Sequence, residues 1–300
     1  MKRAVSISLG SSKRDKTVEV SLLGETVRIE RMGMDGDMEK AARKYQELDG
    51  KVDAFGVGGA DLGLMVDTTW YPLHSVEPMV RFVKQTPLVD GSGLKITLER
   101  RVAPYMEKHL AEALQPKRAF FTDAADRWGM TMSFYDAGFE CAFGDLMFAF
   151  GLPIAFHTPK ELKRFAAMLM PIAGRLPFDW VYPTGEKQEK WIPKFEKWYN
   201  WATVIAGDCH YVKRHMPHHL EGKVICANTT TVEDVERFRS TGARWLVTTT
   251  PLLDGRTFGT NMMEAALIAA SGKGRVLTHA ELDALIDQQG WTPALQRLNA

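Results

Sequence analysis

Three short apolar runs in the C-terminal third break into polar clusters, and those clusters hold the residue types that bind small anions and move protons. The run at 202–206 opens onto Gly207-Asp208-Cys209-His210. The run at 224–227 opens onto Asn228-Thr229-Thr230-Thr231, and Leu246-Val247 opens onto Thr248-Thr249-Thr250-Pro251. In an open parallel sheet ligands sit outside the carboxyl ends of the strands, so these clusters read as one rim of a small-molecule site. His210, directly after a strand, suits a general base or hydrogen-bond donor. Gly144-Asp145 repeats the placement of Gly207-Asp208 and would bring a second carboxylate to the same rim. Thr122-Asp123-Ala124-Ala125-Asp126-Arg127 stands at another strand-to-helix junction. There Asp123 suits a ribose or polyol hydroxyl and Arg127 an anion, although Asp123 would serve equally as a helix N-cap. The densest cluster is Gly255-Arg256-Thr257-Phe258-Gly259-Thr260-Asn261. Arg256 and the free N–H groups of a helix starting at Thr260, with Asn261 on its first turn, would clamp a carboxylate or phosphate.

Three further motifs lie in the N-terminal third. Gly56-Val57-Gly58-Gly59-Ala60-Asp61 is a candidate phosphate loop, since glycine lets backbone N–H groups approach a pyrophosphate. Its sixth position is Asp61 and no long helical pattern follows, so the same glycines equally suit a turn where two backbones cross. Gly10-Ser11-Ser12-Lys13-Arg14 has the makings of an anion nest in which Ser11 and Ser12 donate and Arg14 pairs; a solvated loop is the alternative. In Asp90-Gly91-Ser92-Gly93-Leu94-Lys95, Lys95 and Asp90 could exchange a proton with a hydroxyl-bearing substrate beside Ser92, or simply form a tight turn. His210, His215, His218 and His219 crowd one segment beside Cys209, but their spacing matches no zinc framework and Lys213 and Arg214 stand among them, so no metal is expected.

The elements that must position these residues follow from periodicity. A strand is expected at 4–9 and a hairpin from 18–23 and 26–31 around Gly24-Glu25. Helical spacing of Met38, Ala41, Ala42, Tyr45 and Leu48 predicts a helix over 37–48, followed by a strand at 52–55. Helices are expected at 76–84 and 97–113. From residue 118 the pattern alternates: strand 119–121, helix 124–136 capped by Gly138, and strand 139–143. A helix over 160–170, strands at 202–206, 223–227 and 244–249, and helices at 232–240, 260–271 and 279–288 complete it. Strand–helix alternation argues for a parallel sheet with right-handed crossovers. The expected class is α/β: a mainly parallel Rossmann-like sheet in the C-terminal part and a smaller N-terminal α/β unit with a β-hairpin. The expected domains are 1–115, 116–275 and a helical appendage at 276–300.

Composition bounds the function. The chain has 300 residues, 45% hydrophobic and 25% charged, with a net charge of +1, so nothing global draws it to nucleic acid or membrane. The basic start at Lys2-Arg3 is followed by an apolar run that breaks at Gly10, too short for a signal peptide or a membrane span. Three cysteines, Cys141, Cys209 and Cys226, form no C-x-x-C pair and suit a cytoplasmic setting. The expected partner is a small anionic substrate; the oligomeric state is open, a homo-oligomer included.

The runs 55–64, 86–95, 123–130, 144–152, 207–211 and 248–264 together resemble a bacterial family of similar length labelled quinate 5-dehydrogenase. The likeness implies hydride transfer from a quinate- or shikimate-like cyclic polyol acid to NAD or NADP. It implies that Lys95 is the general acid/base and Asp90 its orienting partner, with His210 a further catalytic candidate. The cofactor would lie against Gly56, Gly58, Gly59, Asp123, Arg127, Gly144, Asp145, Gly207, Asp208, Asn228, Thr229, Thr249 and Thr250. The substrate would meet Ser11, Ser12, Arg14, Ser92, Arg256, Thr260 and Asn261. The chain departs from shikimate and quinate dehydrogenases in placing its glycine turn in the N-terminal part. A transferase or hydrolase of phosphorylated or CoA-linked metabolites, and a non-catalytic small-anion binding protein, remain the alternatives. No G-x-S-x-G, P-loop or H-E-x-x-H motif occurs.

Overall fold

The computed structural model describes residues 1–178, 191–251 and 257–300. The chain is α/β and forms two units. The first comprises Met1–Thr97, the described part of Leu169–Lys187, and Phe258–Trp291; the second comprises Leu98–Met168, the described part of Gln188–Thr257, and Thr292–Ala300. The division therefore falls at 97/98 rather than 115/116, and the segment 258–291 belongs with the N-terminal residues. Helix Thr260–Ser271 explains that return. Ten of its residues are buried, so it must be covered on nearly every side, and it packs on the strands of the first unit.

In the first unit, β1 (Lys2–Ser8), β2 (Lys16–Leu22), β3 (Glu25–Gly33), β4 (Ala54–Gly58) and β7 (Leu88–Val89) form a sheet of order β2-β3-β1-β4-β7. All are parallel except β2, which makes the expected hairpin with β3. Leu23 and Gly24, the two-residue turn, both have positive φ, the geometry that matches strand twist in tight hairpins. Side chains alternate along β1 and sort the two faces. Val5, Ile7 and Leu9 join Phe55 and Val57 against Ala41, Tyr45 and Leu48 of helix Met38–Leu48. On the other face Ser6 and Gly56 lie against Asn261, and a Cβ on Gly56 would stand 2.9 Å from the Asn261 carbonyl oxygen. Small residues there let helix Thr260–Ser271 approach the backbone.

A separate hairpin of β5 (Gly63–Val66) and β6 (Thr69–Pro72) follows β4. The helix expected over 76–84 is only Glu77–Val80 behind a 3-10 turn, and that over 97–113 is broken into Ser92–Ile96, a 3-10 turn and Val102–Leu110.

The second unit holds β8 (Arg118–Phe121), β9 (Glu140–Phe143), β10 (Val204–Gly207), β11 (Val224–Ala227), β12 (Trp245–Thr248) and β13 (Ala294–Arg297), in the order β9-β8-β10-β11-β12-β13. The first five are parallel and β13 is antiparallel to β12. In chain order this is 2-1-3-4-5, the doubly wound arrangement whose switch point lies between its first and third strands, here β8 and β10. One face is filled by Phe120, Tyr199, Ile205, Val212, Ile225 and Phe238. Phe121, Phe134, Phe139 and Phe143 meet edge to face in a separate group. β13 lies in the expected helical appendage; four residues carry too little periodicity to show a strand without its partner. Among the described residues no helix is long and apolar enough to cross a membrane.

Tyr45 is fully buried, and its hydroxyl donates between the carbonyls of Gly56 (3.0 Å) and Ile7 (3.3 Å) while its ring stands edge-on to Phe55. Tyr45→Phe is expected to cost about 1 kcal/mol and Tyr45→Ala about 3–5 kcal/mol in urea unfolding followed by circular dichroism.

Candidate functional site

The switch point of the second unit is built around one arginine. Helix Trp128–Asp136 begins later than its sequence suggests, because residues 122–127 form a loop that delivers Arg127 into the interior. Its guanidinium, only 5% exposed, meets Glu99 through Nη1 (2.6 Å) and Asp208 through Nη2 (2.9 Å). Its Nε lies 3.4 Å from Asp126 and 3.7 Å from Asp123. Asp123 accepts from the Asp208 N–H (2.9 Å) and from the Thr122 hydroxyl (2.7 Å), which ties the loop after β8 to the loop after β10. Gly207 makes that junction geometrically accessible: its φ is +145°, and a Cβ there would overlap Thr122 Oγ1 and Asp123 Oδ1.

The neighbouring strand ends complete the cluster. Asn228, after β11, donates to Asp208 (2.7 Å) and accepts from the Cys209 N–H (3.1 Å). Thr249 and Thr250, after β12, donate to Glu99 (3.4 Å) and to the Asn228 carbonyl (3.0 Å). Asp208 caps helix Cys209–His215 through the His210 N–H (2.9 Å), leaving the His210 side chain exposed at the rim. After β9, Asp145 accepts from the Ala125 N–H (2.9 Å), while its buried Oδ2 has no hydrogen-bond partner among the described residues. Gly144 packs on the Phe121 carbonyl, and Thr229 is half-buried beside Asn228.

The charges in this cluster differ in protonation. Burial pushes the Asp123 carboxyl above the usual carboxylate range; Arg127 draws it down, and Asp208 and Asp126 push it further up. Burial acts on Asp208 in the same sense, but Arg127, His210 and hydrogen bonds outweigh it and hold it below that range. Asp145 is pushed up to about 6, chiefly by burial. Two carboxyl groups joined by one hydrogen-bonded junction thus hold their protons over different pH ranges, which is how acid–base pairs are set up.

In the first unit the structure gathers a second group. Lys95 Nζ donates to Asp61 (2.8 Å), while Asp90 accepts from the N–H groups of Leu62 (2.6 Å) and Ser92 (2.9 Å). The acid beside the lysine is therefore Asp61, and Asp90 shapes the turn. A Cβ on Gly91 would overlap Thr260 Oγ1, so the 90–95 turn rests on the first turn of helix Thr260–Ser271. There Asn261 donates to Ser6 (2.9 Å) and the Val57 carbonyl (2.7 Å), and Glu264 accepts from Gly93 N–H (3.0 Å). Burial and then the charge of Asp90 push Glu264 up to about 8. The glycines of the expected phosphate loop are already filled: a Cβ on Gly58 would stand 2.7 Å from Ser8 Cβ. In the expected nest, the Ser12 N–H donates to Asp35 (2.7 Å) and Ser11 Oγ accepts from the Lys13 N–H (3.2 Å). Arg256 lies outside the described residues.

Glu99, Asp126 and Asp61 are the residues that sequence reasoning passed over as site candidates. Glu99 sits inside a helical pattern, and only its near-complete burial distinguishes it. The histidine-rich segment does not converge. His215 bonds the Ile192 carbonyl, His218 packs at a tilt against Trp191 and His219 meets Glu221. Among the described residues no group of three His, Cys, Asp or Glu side chains is placed to hold a metal ion.

Arg127→Met would leave Glu99 and Asp208 without their counter-charge and is expected to cost about 3–5 kcal/mol in urea unfolding. The pH dependence has a defined sign. Asp145 and Glu264 titrate higher folded than unfolded, so their contribution is present in full below about pH 4 and is lost as pH rises through about 6 and about 8. Unfolding midpoints should fall between pH 5 and 9, and Glu264→Gln should reduce the upper part of that fall, the rest coming from Asp123.

A family model described as "Domain of unknown function (DUF8753)" matches residues 3–90. No curated protein matches the chain. Among solved structures, the chain is similar to a protein described as a malic enzyme (malate oxidoreductase) at 12% identity and a TM-score of 0.38, covering 95% of this chain and 76% of that one. A Mycobacterium smegmatis protein in complex with β-D-fucofuranose is similar at 11% identity and a TM-score of 0.33, with 97% and 95% covered. At such TM-scores neither topology nor chemistry carries over. A second family model, described as "Domain of unknown function (DUF8754)", matches residues 93–298, more than half of the chain, and the chain belongs to that family.

Proposed function

We propose that the protein is an enzyme that performs acid–base chemistry on a hydroxyl group of a small, polyhydroxylated, anionic substrate at the switch point of its second unit. The observation that carries this reading is the Asp123–Asp208 junction around Arg127, where loops after the first and third strands of the sheet meet. Asp123 is the group suited to exchange a proton near neutrality, because a general base works best with a pKa close to the working pH. Asp208, held ionised, orients Arg127 and Asn228. His210, exposed at the rim, would add a polar group, while buried Thr249 and Thr250 brace Glu99 and Asn228.

Oxidation of a quinate- or shikimate-like polyol acid with NAD or NADP is the more specific reading, and one observation favours it. Asp145 follows the second strand of the 2-1-3-4-5 order, where dinucleotide folds carry the acid that accepts a ribose hydroxyl, and its Oδ2 has no partner among the described residues. The pyrophosphate end fits less well. The loop after β8 supplies Asp123 and Asp126 in place of glycines, and the Gly56–Gly59 turn belongs to the other unit with its space filled.

Titration of NAD⁺, NADH, NADP⁺ and NADPH, followed by tryptophan fluorescence, tests the specific reading. Saturable binding of one pair, weakened roughly tenfold by Asp145→Asn, is the expected outcome. No binding of any of the four removes the nicotinamide reading. Asp123→Asn is expected to lower turnover of a polyol acid at least about a hundredfold while the fold is retained, and retained turnover would overturn the acid–base assignment.

A further inference from the structure

We propose that the first unit carries a phosphoryl-binding site above Gly10, formed by Arg14, Arg31 and Ser8. The inference stands on that unit alone and does not rest on the function proposed above. The sheet order β3-β1-β4 places a switch point between β1 and β4, so a ligand is expected outside their carboxyl ends. Gly10 follows the end of β1, and Gly58-Gly59 closes β4 against it. Gly59 has φ +74°, and a Cβ there would stand 3.3 Å from the Gly10 nitrogen.

Two guanidinium groups converge on this spot. A Cβ on Gly10 would stand 2.6 Å from Arg14 Nη2 and 2.9 Å from Arg31 Nη2, so the tips of both guanidinium groups rest against the bare Gly10 backbone. Arg31 is nearly buried, and its Nη1 is engaged by the Ser11 carbonyl (3.0 Å) and Asp15 Oδ1 (2.9 Å), which anchors the group from the far side. Its Nη2 donates one hydrogen to Ser8 Oγ (3.0 Å) and has a second to offer. Arg14 is exposed and has neither ion pair nor hydrogen bond among the described residues. The other charges are occupied: Asp15 also accepts from the Gly33 N–H and Asp35 from the Ser12 N–H.

Ser8 supplies the third element. It is 4% exposed, and its oxygen accepts from the Gly10 N–H (3.1 Å) and from Arg31. Both bonds use its lone pairs, so the hydroxyl proton remains available to a ligand oxygen. Burial and then the charge of Arg14 lower the proton affinity of Arg31, with Asp15 and Asp35 acting in the opposite sense. A phosphoryl group answers all three donors, because it offers three oxygens and close to two negative charges. A carboxylate could bridge the two guanidinium groups but brings one charge and two oxygens to two cations and three donors, so it matches the site less fully.

Isothermal titration calorimetry of the full chain with inorganic phosphate, and separately with acetate, tests the site. Saturable phosphate binding is expected, with acetate at least roughly tenfold weaker. Arg14→Gln, on an exposed side chain, should weaken phosphate at least roughly tenfold without moving the thermal midpoint, and Ser8→Ala should weaken it by a smaller factor. Absence of phosphate binding, equal binding of acetate, or unchanged affinity in Arg14→Gln would each overturn the proposal.

Discussion

A guanidinium group removed from water must be matched by charges and acceptors, and Arg127 imposes that requirement on the whole switch point of the second unit. To reach Glu99 and Asp208 at once, its chain cannot enter a helix directly after β8 but runs through the loop 122–127. That loop brings Asp123 to the backbone of Asp208, and Asp208 in turn holds Asn228. The ends of β8, β10 and β11 are thereby fastened to one another through side chains rather than through the sheet alone. The acids near the guanidinium outnumber it, and burial together with the charges of Asp208 and Asp126 raises the proton affinity of Asp123.

The first unit meets a related constraint by a different route. Helix Thr260–Ser271 is too apolar to face water, and the sheet accepts it by presenting small residues, with Gly56 lying directly under the Asn261 carbonyl. Polar groups are then threaded through this close contact: Asn261 reaches the Val57 carbonyl and Glu264 receives two N–H groups from the turn beginning at Gly93. The glycine-rich stretch is used up in packing backbone against backbone. Its consequence for ligands is indirect, since it closes the end of β4 onto Ser8 and Gly10.

Much of this could be read from the chain. Alternating strands and helices specify an α/β protein with a mainly parallel sheet, because a parallel connection needs a crossover, and the turn at Leu23-Gly24 marks the hairpin. Gly207-Asp208, Asn228 and Thr249-Thr250 were recognisable as strand-end clusters, and Asp123 and Arg127 as a junction. Their types and their places after apolar runs carry the information, since a polar group at the end of a buried strand has few other reasons to be there.

What the chain could not state by itself is which of these residues share a neighbourhood. Sequence determined the main alternation of strands and helices and the polar strand ends; tertiary structure decided that Lys95 meets Asp61 while Asp90 serves the turn. It decided that Glu99, deep in a helical pattern, faces Arg127, and that residues 258–291 join the N-terminal residues. It also brought Arg31, from the open end of the β2–β3 hairpin, against Gly10 beside Arg14. The physical reason is the same in each case. Local periodicity depends on neighbours a few residues away, whereas charge pairing and burial depend on strand order and register, which bring together residues that are far apart in the chain.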